Sequence, residues 1–265
     1  KMESVLDQNP QSTFVSVGYG SEKATDILKD LLPEVNIARV DSDVMQRKDL
    51  LPKTLDKFRS GEIDILVGTQ ILAKGHDFAK VTLLCILEVD QLLNLPDLRA
   101  GERTFQLMVQ AAGRAGRGEF PGKVMVQSSK GLHPVVGAAL KHDYDQFLGY
   151  EYPYRKAHNY PPFAKMIQIE FNSEDRNLVL EYASVIENWL DKSLNNDKSP
   201  ISHIKVLGPS SPAVETVRRR HRRTILLISS EVKFLHHGAR EVLAAFGRLK
   251  GDLRLKIDVD PQSML

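Results

Sequence analysis

A single cysteine, Cys85, in 265 residues excludes an internal disulfide and any Cys-rich zinc or iron-sulfur centre. It lies in an apolar run and is expected to pack there as a small hydrophobe. No stretch approaches the roughly 18 apolar residues of a membrane-spanning helix, and Lys1 to Gln11 has no apolar signal core. A cytoplasmic chain without membrane contact is therefore expected. Neither a G-x-x-x-x-G-K-[ST] loop nor a D-E-x-H string occurs, so the groups that such motifs use to cradle ATP and hold magnesium are missing. No cluster suggests a resident metal. Low-complexity tracts and short-period repeats are also absent. What is present, 42% apolar and 26% charged residues, is the composition of one large or two ordinary globular domains.

The net charge of +2 hides an asymmetry. Residues 200–265 hold twelve Lys/Arg against six Asp/Glu, while residues 1–199 are net acidic. The centre of the basic part is Arg218, Arg219, Arg220, His221, Arg222 and Arg223, which reads either as a phosphate-contacting patch or as a hydrated hairpin tip.

Along the first 130 residues, β-branched runs alternate with helical patterns. Strands are expected at Thr13–Val17, Asn36–Val40, Ile63–Val67, Val81–Leu87 and Lys123–Gln127. The fourth is apolar on both faces, as a central parallel strand would be. Helices are expected on Ala24, Ile27, Leu28, Leu31 and Leu32; over Lys48–Phe58, with Pro52 in the first turn; and through Phe105, Met108, Val109 and Ala112. Gly18 and Gly20 suit a tight turn. The pattern is α/β with a parallel sheet. From residue 131 to 162 the texture becomes aromatic and proline-containing, as a linker would be. Residues 163–265 then read strand (Lys165–Phe171), helix (Leu178, Tyr182, Val185 and Trp189 on one face), strand (His203–Leu207), strand (Thr224–Ile228), helix (Val232–Phe246) and strand (Leu253–Val259). This is a β-α-β, β-α-β domain of α+β type.

Two strings in the first domain carry chemistry. Gln110-Ala-Ala-Gly113-Arg114-Ala-Gly-Arg117 ends a predicted helix with two arginines three apart, whose forks match phosphate oxygens and can reach a γ-phosphate held by a neighbouring domain; taken alone, it also reads as a glycine-rich loop with solvated arginines. Thr69, Lys74, Gly75, His76 and Asp77 form T-x5-G-x-D directly after a strand, at the carboxyl edge where parallel sheets bind ligands. The hydroxyl and amides suit nucleic-acid phosphate, and the carboxylate suits a ribose or the arginines. Alternatively, Thr69 and Asp77 cap a short turn.

These strings resemble motifs V and VI of superfamily 2 helicases. G-T-Q-I-L-A-K-G-H-D-F, L-E-V-D, P-D-L-R-A-G-E-R-T-F-Q-L-M-V-Q-A-A-G-R-A-G-R, Y-P-P-F-A-K, V-L-G-P and the terminal D-V-D-P are together similar to the primosomal replication-restart helicases of the PriA family. The resemblance implies a RecA-like parallel-sheet lobe over residues 1–130, followed by the smaller α+β domain. It implies an ATP-driven 3′ to 5′ DNA helicase that reopens abandoned forks, with this chain as a C-terminal part. ATP and Mg2+ would be bound mainly by a preceding lobe in the full-length protein. The family's zinc insertion has no ligands here, since Lys1 to Thr13 contains no cysteine. Arg117 is the implied finger to the γ-phosphate, Arg114 its partner, and Gln110 orients phosphate or water. Asp77, Gly75 and Gly113 fall on the nucleotide side, with Glu88 or Asp90 as further coupling carboxylates, or else as strand-end caps or partners of Arg99 and Arg103. Thr69, Lys74 and Gly75 face the DNA backbone.

In the second domain, Arg219, Arg220 and Arg222 are candidate DNA contacts. Lys233 and the arginine run are candidates for the acidic tail of single-stranded DNA-binding protein, and other primosome proteins are possible partners. Tyr152, Tyr154, Tyr160 and Phe163 either stack on bases or fasten a linker. A non-catalytic nucleic-acid or protein-binding module that keeps the lobe as scaffold is the alternative to a motor half.

Overall fold

The computed structural model describes residues 20–41, 50–69, 80–113, 121–129, 131–196, 199–212 and 214–264. The chain divides into two compact units. One comprises Lys1–Leu92 with Gln106–His133, and the other Leu93–Phe105 with Pro134–Leu265.

In the first unit, helix α1 (Ser21–Leu31) leads to strand β1 (Ile37–Val40), and helix α2 (Leu50–Ser60) leads to strand β2 (Ile65–Gly68). Pro52 falls in the first turn of α2, where its missing N–H costs no helical bond. β1 and β2 pair in parallel from Ile37 opposite Ile65 to Val40 opposite Gly68. Asp64 fixes the start of that register by accepting from the Asn36 backbone N–H at 3.0 Å. Strand β3 (Leu83–Ile86) runs parallel to β4 (Lys123–Val126), Leu83 opposite Lys123 and Ile86 opposite Val126. Between them in the sequence lie the short helix α3 (Val89–Leu93) and helix α4 (Ala100–Ala112), the residues of α4 being divided between the two units after Phe105.

Two expectations fail here for reasons of burial. β3 is covered on one side only: Leu83, Cys85 and Leu87, with Met125 opposite Cys85, stay exposed, so Cys85 is a surface thiol and not a packed hydrophobe. On α1, Ala24 and Thr25 are buried while Ile27, Leu31 and Leu32 are exposed, so the helix turns a narrower face inward than its apolar stripe. Gly20 has φ −59°, which any residue adopts, and open space where a Cβ would sit. The strand at Thr13–Val17 and Gly18 lie outside the described residues.

The stretch 131–162, expected as a linker, holds helices α5 (Pro134–Leu140) and α6 (Tyr144–His158). Asp143 caps α6 by accepting from the Gln146 N–H at 2.8 Å, and Asn159 closes it in the left-handed conformation. The aromatic and proline texture that suggested a connection sits on this capped helix, with Pro153 inside it.

Strand β5 (Lys165–Ser173), helix α7 (Arg176–Leu194), a 3-10 turn (Pro200–His203), β6 (Lys205–Ser210), β7 (Thr216–Val217), β8 (Arg220–Ser229), α8 (Val232–Phe246) and β9 (Arg254–Val259) complete the second unit. The element order is the expected β-α-β, β-α-β; the sheet order is β6-β8-β5-β9, all pairs antiparallel, so the two crossovers interleave. Odd-numbered residues of β5 and β8 (Ile167, Ile169, Phe171, Ile225, Leu227) form a core with Val179, Ala183, Ile186 and Leu190 of α7 and Leu235, Val242 and Phe246 of α8. The inward face of α7 is rotated from expectation. Ile186 is fully buried while Val185 is exposed; Leu178, Tyr182 and Trp189 flank the core. Gly208, in the V-L-G-P string, has φ +98°, and a Cβ there would lie 2.4 Å from the Thr224 carbonyl oxygen, so only glycine lets β6 pass its neighbour at this bulge.

Candidate functional site

Thr69 follows β2 directly and is exposed at that strand's carboxyl end. Asp90 sits just past β3. Its two carboxylate oxygens accept from Ser128 Oγ at 2.9 Å and from Ser129 N at 2.6 Å, which ties the end of β3 to the end of β4. That is the capping role, and Glu88 bonds Gln91 in the same turn. Gln110 stands exposed on the last turn of α4, its amide without an intramolecular partner among the described residues, with Gly113 immediately beyond the helix. Lys74, Gly75, His76, Asp77, Arg114 and Arg117 lie outside the described residues.

Arg99 and Arg103 do not pair with Glu88 or Asp90. Arg99 donates from Nη2 and Nε to Glu102, at 2.6 and 3.1 Å, and Arg155 reaches the same carboxylate at 3.0 Å. The hydrogen bond from Arg99 holds the Glu102 carboxyl below its usual range and in turn raises Arg99. Arg103 donates to the buried Asp97 at 2.9 Å. Asp97 also accepts from the Arg99 N–H at 2.8 Å, Ser263 Oγ at 3.2 Å and the Met264 N–H at 3.3 Å. Sequence reasoning missed Asp97; its Asx-turn geometry in P-D-L-R was the available signal.

The arginine run is not one patch. Arg218 and Arg219 form the two-residue turn between β7 and β8, with φ +49° and +66°, and both are exposed without an intramolecular partner among the described residues. Arg220, by contrast, is committed: it donates to the Asn172 carbonyl oxygen and side chain and, at 3.0 Å, to Asp252. Arg223 donates to Glu215 at 2.9 Å and lowers that carboxyl's proton affinity. Arg222 is buried, and its Nε lies 3.0 Å from Glu170 without the alignment of a hydrogen bond. Of the expected DNA contacts, Arg219 is thus presented to solvent, Arg220 is spent inside the domain, and Arg222 faces a cleft in the sheet. Asp252, hydrogen-bonded by the Glu174 N–H and Ser173, is held below the usual carboxylate range and anchors the hairpin.

The aromatic residues pack on one another. Tyr152 meets Phe163 edge to face at 4.7 Å, and Tyr154, His158 and Tyr160 form a second group, with His158 and Tyr160 5.6 Å apart. Burial pushes the Tyr160 hydroxyl up. Lys233 is exposed, 3.9 Å from Glu231 and over the Phe234 ring at 4.9 Å.

Known families recognise both halves. Residues 2–119 match the helicase conserved C-terminal domain, and residues 156–262 match the primosomal protein N C-terminal domain. The chain belongs to the PriA family. Replication restart protein PriA of Synechocystis sp. is 36% identical over 256 residues, covering 93% of this chain and 29% of that protein. The Bacillus subtilis protein of the same name is 32% identical over 256 residues, covering 94% and 30%, and the Treponema pallidum protein 36% over 248 residues, covering 94% and 36%. The chain therefore spans about a third of the length of these curated PriA relatives, and both matching domains are C-terminal ones. No helix among the described residues is long and apolar enough to cross a membrane.

Proposed function

We propose that the chain serves as the C-terminal half of a cytoplasmic, ATP-dependent 3′ to 5′ DNA helicase that restarts stalled replication forks. The observation that carries this reading is the union, in one chain, of a helicase C-terminal domain with a primosomal one. In this reading the chain does not hold the nucleotide by itself. ATP and Mg2+, which supply the phosphoanhydride and neutralise its charge, are held mainly by groups of the full-length protein. Zinc has no ligands in this reading either.

Arg117 supplies a fork of donors to the charge that develops on the γ-phosphate, and Arg114 supports it. In this reading Gln110, exposed at the end of α4, orients phosphate or water, and Asp77, Gly75 and Gly113 complete the nucleotide edge. Thr69 and Lys74 contact the DNA backbone in the first unit, and Arg219, with Arg218 beside it, does so in the second. Single-stranded DNA-binding protein and other primosome proteins are the partners proposed for the C-terminal domain, with Lys233 as an exposed cation for an acidic tail.

The test is Arg117→Ala in the full-length protein. DNA-stimulated hydrolysis is expected to fall about 10³-fold in kcat with little change in nucleotide binding, and Arg117→Lys to fail as well, because an ammonium cannot form the fork. Hydrolysis within threefold of the parent would refute the assignment and favour the scaffold reading.

A further inference from the structure

The sheet face turned away from α7 and α8 carries a cleft that the helicase reading does not use. Even-numbered positions of β5 and β8 point to it. By register Arg222, Asn172 and Arg254 form one cross-strand row, Glu170 and Lys256 face each other in the next, and Gln168 and Asp258 in the third. The cleft is lined by Gln168, Glu170, Arg222, Lys256, Asp258 and Ser263, with a water-accessible volume of about 40 Å³. That is room for about three water molecules or one phosphate-sized group.

Two largely buried polar side chains in this lining carry groups that make no hydrogen bond among the described residues. Gln168 is 8% exposed and its amide makes no hydrogen bond among the described residues; Arg222 is 9% exposed, and its Nε, 3.0 Å from Glu170, is buried without a hydrogen bond. The two Nη groups of Arg222 have no intramolecular partner among the described residues. Lys256 adds a mobile ammonium, 67% exposed, 3.4 Å from Asp258. Both lining carboxylates are already engaged, Glu170 by Arg222 and by the Asn172 amide at 2.9 Å, and Asp258 by Lys256. Over the whole face, Lys205, Arg220, Arg222, Arg254 and Lys256 outnumber Glu170, Asp258 and the bordering Asp252.

We propose that this cleft seats one backbone phosphate of a bound nucleic-acid strand, received by the Arg222 Nη pair, the Gln168 amide and Lys256. The proposal rests on the DNA-binding reading and extends it from the hairpin tip to the sheet face. Arg222 lies three residues along β8 from Arg219, roughly 10 Å at strand rise, so one strand of nucleic acid can engage tip and cleft together. A backbone phosphate suits the site better than a free dianion. The lining is close to neutral, so it orients a group brought in by its neighbours' contacts more than it concentrates anions from solution.

The experiment titrates the 265-residue chain with a fluorescent 30-nucleotide oligo-dT at several salt concentrations. Lys256→Gln is expected to weaken binding three- to tenfold and to reduce the slope of log K against log salt by about 0.7, the value for one contact to a single strand. Gln168→Leu is expected to weaken binding with the slope unchanged, since it removes a neutral donor. Arg222 is left in place because its loss would strand Glu170. Parent-like binding by both variants, while Arg218→Ala/Arg219→Ala binds weakly, overturns the cleft and leaves the tip reading standing. Failure of the parent to bind DNA, or its capture of an acidic peptide in place of DNA, overturns both. A free-anion site is revealed if inorganic phosphate, at constant ionic strength, raises the parent's urea midpoint but not that of Lys256→Gln while both bind DNA equally; that result also overturns the proposal.

Discussion

Replacing Arg218-Arg219 by Asn-Gly should make the second unit more stable and its grip on DNA weaker. Both residues sit at positive φ, +49° and +66°, in a two-residue hairpin turn, the backbone that Asn-Gly adopts most readily and arginine least. Holding a residue with a Cβ there costs about 1 kcal/mol each, and a glycine returns about 0.5–1 kcal/mol by loosening the unfolded chain. The net gain is about 1 kcal/mol. At a urea dependence of about 2 kcal/mol per molar, the midpoint should rise by about 0.5 M. Trp189 is the only tryptophan of the chain and rests edge-on against Phe246 at 5.3 Å, so its fluorescence reports the unfolding of this unit. The same variant loses two unpartnered cations, and on duplex DNA the slope of log K against log salt should flatten by about 1.8. A lower urea midpoint would refute the strain argument. An unchanged slope and affinity would remove the tip from the DNA interface.

Gly208→Ala should destabilise the second unit by at least about 2 kcal/mol, because the new Cβ meets a backbone oxygen that cannot swing aside and the φ of +98° is itself unfavourable; a Trp189 urea midpoint within 0.2 M of the parent, at about 2 kcal/mol per molar, would show that β6 relaxes freely. The carboxyls of Glu102, Glu215 and Asp252 are held below their ordinary range, by the Arg99 hydrogen bond, the Arg223 hydrogen bond and the Glu174 N–H respectively, so the unfolded chain binds their protons more readily than the folded one. Their contribution is complete above the ordinary carboxylate range of about 4 and is lost as pH falls through the lower folded values. The Trp189 urea midpoint should therefore change little from pH 7 to about 5 and fall below about 4, and a midpoint that rises on acidification would contradict the pairing.

Helix α8 was legible to the residue, Val232–Phe246, because its apolar positions share one stripe. On α7 two stripes run side by side, one through Leu178, Tyr182, Val185 and Trp189 and the other through Val179, Ala183, Ile186 and Leu190. Periodicity alone does not decide which meets the sheet; the packing against Ile169 and Phe171 does. The arginine run was visible as charge, but its division into tip, anchor and cleft depends on Asn172, Glu170 and Asp252, which lie between 32 and 52 residues from the arginines they meet and reach them only in the folded sheet. Conversely, Q-A-A-G-R-A-G-R stands out as a motif locally, since a glycine-flanked arginine pair is a property of neighbours in sequence.

Asp97 and Ser263 are hydrogen-bonded across 166 positions, and both belong to the second unit. In time along a growing chain, that separation is a delay. At synthesis rates of about 5–20 residues per second, residues 93–105 wait on the order of 10–30 s for the strand and tail that complete their pairing. Through that interval Asp97, Arg99 and Arg103 lack the partners supplied by residues 262–264, and the second unit cannot close as a cooperative whole until nearly its last residue has been made.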